Sequence, residues 1–153
     1  MSNAAEHQAR IICLGNRFRA DDAAAFEIFE LLSATGIPSG VELHDGGMAG
    51  LNLILLFENC RRVVLIDTIS GFAAKPGIAL FDAEQIISGK TWGDTLLPGG
   101  PAQLVQTWRQ LNQQQSAVEI WLVGLEQIKR WMVPLATRLC LEVAVNGLPA
   151  KNC

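Results

Sequence analysis

Apolar positions along the chain fall into short unbroken runs that alternate with stretches of helical spacing. Strands covered on both faces, alternating with amphipathic helices, leave that pattern. Ile11, Ile12, Cys13 and Leu14 make the first run, which stops at Gly15-Asn16. A helix is predicted from about Asp21, with an inward stripe of Ala25, Ile28, Phe29 and Leu32. Three residues back from Ala25 the same phase reaches Asp22. Residues 40–44 read as a second strand that closes in Asp45-Gly46-Gly47, and residues 48–60 (MAGLNLILLFENC) as a largely apolar helix. The third strand, residues 62–68, delivers four aliphatic side chains straight into Asp67. A turn at Lys75-Pro76-Gly77 precedes a short strand over residues 78–81. Beyond a polar Gly- and Pro-containing stretch, Pro101 suits the first position of a helix ending near Gln113. Residues 117–124 form the last strand. A final helix starts near Pro134 and ends in C-cap chemistry at Asn146-Gly147.

This alternation predicts an α/β three-layer sandwich: a mostly parallel, twisted five-stranded sheet with helices on both faces. At 153 residues, half of them apolar, the chain is expected to form one domain over residues 1–153, with residues 1–9 as a flexible arm. A net charge of −3 without a basic cluster argues against nucleic acid or an anionic membrane as the main partner. With no membrane-length apolar run and no secretory-type leader, a cytoplasmic protein is expected. The four cysteines, Cys13, Cys60, Cys140 and Cys153, contain no CxxC pair, so neither a disulfide framework nor a zinc site is suggested. Cys13 and Cys140 are expected in the core.

In open parallel sheets, ligands bind off the carboxyl ends of the strands. Three predicted strands end there in Gly15-Asn16, Asp45-Gly46-Gly47 and Asp67, and Asp22 follows on an inward helix phase. Converging carboxylates repel, and a cation or a shared proton resolves the repulsion. The competing role for Asp21 and Asp22 is helix capping and dipole compensation. The GxGxxG and P-loop patterns are absent. Catalysis through a histidine base has only His7 and His44 to draw on, and His44, beside Asp45, is expected first as a structural histidine and second as a ligand or base.

Taken in order, the blocks Leu14-Gly15-Asn16, Asp21-Asp22-Ala23, Asp45-Gly46-Gly47-Met48-Ala49-Gly50, Leu65-Ile66-Asp67-Thr68 and Lys75-Pro76-Gly77 before Phe81-Asp82 resemble the hydrogenase maturation endopeptidases. The resemblance extends from Ile11 to about Val145. It implies an endopeptidase that trims the C-terminal extension of a nickel-loaded hydrogenase large-subunit precursor. It also implies that Asp22 and Asp67 are the carboxylates of a nickel-recognising triad, the nickel being supplied by the substrate. The third member of that triad is a histidine. The corresponding segment here reads Leu96-Leu97-Pro98-Gly99-Gly100-Pro101, with Gly99 in its place. Nickel favours nitrogen donors, so two carboxylates alone would hold it weakly. Asn16 and the amides of Gly46 and Gly47 are candidates for positioning the peptide or stabilising an oxyanion; for the two glycines, backbone turning is an equal alternative. A non-catalytic binding or chaperone protein on the same fold is the alternative function. A phosphoacceptor domain fits less well, because Asp21 lies past a loop and Val123 is followed by Gly124-Leu125-Glu126 rather than by lysine.

Overall fold

The computed structural model describes residues 7–15, 23–47, 49–69, 76–88, 100–112 and 118–147. Its centre is β3 (Cys60–Thr68), the strand with the longest aliphatic run. Val63, Val64, Leu65 and Ile66 are all fully buried. Successive side chains on a strand point to opposite faces, so a run with no polar alternation is stable only if both faces are covered. Each such side chain contributes about 1.5–3 kcal/mol relative to exposure.

The neighbours of β3 are β1 (His7–Leu14) and β5 (Glu119–Glu126), both parallel to it. β2 (Val41–Gly47) pairs in parallel outside β1, and β4 (Gly77–Asp82) runs antiparallel outside β5. The sheet order is therefore β2-β1-β3-β5-β4, in agreement with the predicted five-stranded, mostly parallel sheet.

One face is covered by α1 (Ala23–Thr35) and α4 (Val133–Asn146). Ala25, Ile28 and Leu32 of α1 meet Ile11, Cys13, Val64 and Ile66 in one core layer, as the helical phase required. Phe29, the remaining member of that stripe, is only partly buried and stacks on Phe26 at a centroid distance of 6.1 Å. The opposite face carries α2 (Ala83–Ser88), α3 (Pro101–Leu111) and the 3-10 helix Gly50–Phe57, packed on Ile12, Leu14, Val63, Leu65 and Leu122.

Five elements differ from the sequence expectation. β1 begins at His7 with Ala9 fully buried, so residues 7–9 belong to the sheet rather than to a flexible arm. The apolar segment after β2 winds as a 3-10 helix, and its end at Asn59 takes φ +59° before β3 starts at Cys60. β2 and β5 each run past their expected ends, to Gly47 and Glu126. α2, too short to show a helical period, is held by reciprocal hydrogen bonds between Asp82 and Gln85, each backbone amide donating to the other's side chain at 2.9 Å.

Candidate active site

The strand ladders locate a cleft. β1 pairs with β3 only as far as Cys13 opposite Ile66. Beyond that rung β1 stays with β2: Leu14 stands opposite Gly47, and the Gly15 amide donates to Gly47 O at 3.1 Å, with Gly15 at φ +103° where only glycine is unstrained. β3 meanwhile stays with β5 through Thr68 opposite Leu125, and the Ile69 amide donates to Leu125 O at 2.8 Å. The sheet therefore parts between β1 and β3 at its carboxyl edge. There the chain reverses its winding direction, and in open α/β folds this is where ligands bind.

Asp67 is the first residue of β3 past that parting. Its half-buried carboxylate accepts the Thr68 amide at 2.8 Å, which fixes it against the end of its own strand. Alternation along β3 turns it to the same face as Val63 and Leu65.

The other candidates are placed unequally. Asp22 and Asn16 lie outside the described residues. α1 opens at Ala23, the residue after Asp22, and the chain direction brings the amino end of α1 to the carboxyl edge. Asp45, level with Cys13, is exposed and accepts the Gly47 amide at 3.1 Å. That amide is thereby committed to a turn, which removes it as an oxyanion donor in this conformation. Gly46 is a close-approach position: a Cβ there would stand 2.9 Å from Ile12 Cγ2 and 3.0 Å from Cys13 O. The turning role is thus visible for Gly47, and a packing role for Gly46.

His44 stands opposite Ile12, and Ile12 opposite Leu65. Two strand spacings and two residue rises then separate its Cα from that of Asp67 by about 12 Å. Its ring faces back toward Glu42, with Nε2 at 3.2 Å from the carboxylate, and Glu42 also receives Arg10 Nε at 2.6 Å. This places His44 in a surface ion network and not beside Asp67.

Glu126 is a further acidic residue at this edge that no sequence motif marks. It is only 4% exposed and lies two residues beyond Gly124, the partner of Asp67 across the β3–β5 ladder. Strand geometry puts it about 8 Å from Asp67, Cα to Cα, on the same face. Ending the strand at Gly124 had hidden it. Among the described residues no three His, Cys, Asp or Glu side chains stand close enough to hold a metal ion. The described residues alone therefore do not assemble a metal site.

Cys13 and Cys140 are buried as expected. Burial, with a smaller contribution from Asp45, pushes the Cys13 thiol up to about 12, and burial likewise raises Cys140 well above the ordinary range. Neither can supply a thiolate nucleophile.

This architecture is that of small α/β maturation endopeptidases. Hydrogenase maturating endopeptidase HybD of E. coli superposes with a TM-score of 0.73 at 20% identity, covering 89% of this chain and 91% of that one. The hydrogenase maturation proteases HycI and HybD of Thermococcus kodakarensis give 0.65 and 0.64 at 18% and 19% identity. They cover 93% and 90% of this chain, and 93% and 97% of their own. Among curated proteins none matches the chain significantly. The family profile of the HycI-type hydrogenase maturation proteases matches residues 26–138, and the chain belongs to that family. It is a peptidase by that membership. No helix among the described residues is long and apolar enough to cross a membrane.

Proposed function

We propose that this protein removes the C-terminal extension of a nickel-iron hydrogenase large-subunit precursor, recognising the nickel already lodged in that substrate. The observation that carries the reading is the position of Asp67, the first β3 residue beyond the point where β1 and β3 part. A half-buried carboxylate fixed there by the Thr68 amide stands at the mouth of the cleft, where an entering metal or peptide would meet it. Asp22 is proposed as the second carboxylate, with Asn16 and Gly46 lining the peptide. Nickel is part of the substrate in this reading, and the cysteine ligands of the precursor supply most of its affinity.

Hydrolysis adds water across one peptide bond. A carboxylate near the bond can accept the proton of the attacking water, and the amine leaving group takes up a proton as the bond breaks. The carboxylates distinguish loaded from unloaded precursor because only the loaded form offers a cation in the cleft.

The test is incubation of the protein with nickel-loaded and nickel-free precursor, followed by intact-mass measurement. The account expects loss of the C-terminal extension from the loaded precursor alone. Stable binding without any loss of mass would favour the non-catalytic alternative and contradict the proposed activity.

A further inference from the structure

The segment after β5 exposes a group of side chains that the peptidase site does not use. Trp131 is 69% exposed and Leu135 47% exposed. Lys129, Arg130 and Arg138 flank them along the chain and are exposed as well. This is not a frayed end: Met132 and Val133, next in sequence, are each only 7% exposed, and the Met132 amide donates to Lys129 O at 2.8 Å, closing the turn. An indole held open on an anchored turn loses little freedom on binding, which suits it to be an interface anchor.

Charge adds direction. Three cations gather here on a chain whose net charge is −3. The α4 helix starts within the group, its first turn contains no acidic residue, and no side chain caps its amino end. The positive end of the helix dipole therefore adds to the charge of Lys129 and Arg130, with no capping side chain among the described residues. The nearest acidic residue on the exposed side of α4 is Glu142, one turn beyond Arg138, where it can offset Arg138 but not the two cations before the helix. The group begins three residues after Glu126, so it lies at the same carboxyl edge as Asp67.

We infer that the rim formed by Lys129, Arg130, Trp131, Leu135 and Arg138 docks an acidic stretch of the substrate protein that carries an apolar side chain for Trp131 and Leu135. The inference rests on the proposed processing of a precursor protein and adds what holds that protein while Asp67 acts. Docking of this kind governs encounter and KM, and leaves the chemical step alone.

The test compares the parent with Lys129→Glu/Arg130→Glu and with Arg61→Glu, an exposed charge reversal at the opposite edge of the sheet. Cleavage of nickel-loaded precursor is followed at several salt concentrations, and sedimentation gives the mass of each free protein. The double reversal is expected to raise KM about tenfold at low salt, keep kcat within about twofold and flatten the salt dependence. Arg61→Glu is expected to do none of these. A double variant whose KM and salt slope match those of Arg61→Glu overturns the docking surface alone. Self-association of the parent that the double reversal abolishes overturns it in favour of a second copy of this chain. A parent that cleaves nothing overturns the proposed function, and the docking inference with it.

Discussion

Asp67 of β3 stands level with Gly124 of β5, and the space that a side chain at Gly124 would need is already taken. A Cβ there would lie 2.7 Å from Ile69 Cδ1 and 3.0 Å from Phe81 Cε2. Ile69 follows Thr68, whose amide holds the Asp67 carboxylate, so the glycine fixes the wall behind the candidate catalytic group. Gly124→Ala is expected to destabilise the fold by about 1–3 kcal/mol, the cost of overpacking a filled site. It is also expected to lower kcat/KM by displacing the end of β3. Denaturant unfolding and precursor cleavage on the same preparation check both effects; an unchanged unfolding midpoint would contradict the packing argument.

At the opposite edge, Arg62 ties the end of α4 to the sheet. It donates to the Glu119 carboxylate and, through Nη1, to Ala144 O at 2.9 Å and Val145 O at 3.4 Å. These are carbonyls that the helix end leaves without intrahelical partners. Gly147, at φ +75°, passes so close that a Cβ would meet Arg62 Nη2 at 2.8 Å. Arg62→Met keeps most of the stem and removes the donors, and should cost about 1–3 kcal/mol with little effect on kcat. Thermal melting and cleavage rates separate the two quantities.

The same network makes a pH prediction. Desolvation of Glu119 opposes its ionisation, but hydrogen bonds from Trp121 Nε1 and Arg62 outweigh it and hold the carboxyl below the ordinary glutamate range. A group whose pKa is lower when folded adds stability above its unfolded pKa and loses it as pH falls through the folded value. Relative to Glu119→Gln, the parent should therefore lose stability as pH drops below about 4.5, the ordinary glutamate value. Parallel pH–stability curves for the two proteins would contradict the assignment. Because Glu119 is half exposed, the effect is small and screened by salt.

His44 pairs with Glu42 and lies about 12 Å from Asp67 by strand geometry. His44→Ala should leave precursor cleavage within about twofold of the parent and cost less than about 1 kcal/mol, as exposed pairs do. A large loss of cleavage, or of nickel affinity measured by calorimetry, would show that His44 reaches the metal after all.

The sheet was legible in the sequence because its strands are buried on both faces: Ile11 to Leu14 and Val63 to Ile66 have no polar alternation to mislead. The phase of α1 was legible for a similar reason, since Ala25, Ile28 and Leu32 recur at helical spacing and all three are fully buried. Strand ends were less legible. β5 runs through Gly124 to Glu126 because Asp67, Thr68 and Ile69 go on pairing with it, a tertiary fact that no local pattern carries. The apolar segment 50–57 showed that it was helical but not that it was 3-10, since both forms bury Leu53 and Phe57. Asp67 was readable as the acid at the end of the most apolar strand. His44 was expected first as a structural histidine, and the folded edge strand supplies its partner: Glu42, two residues back on the same face, takes the ring.

Of all these expectations, the catalytic assignment is tested most directly by cleavage of nickel-loaded precursor by Asp67→Asn. Asparagine keeps the shape of the side chain and an oxygen able to accept the Thr68 amide, while losing the charge and the capacity to accept a proton. The account predicts an unfolding midpoint close to that of the parent and cleavage reduced by at least about a hundredfold, the scale of losing a positioned acid–base group. An Asp67→Asn protein that is folded and removes the extension at the parental rate would contradict it.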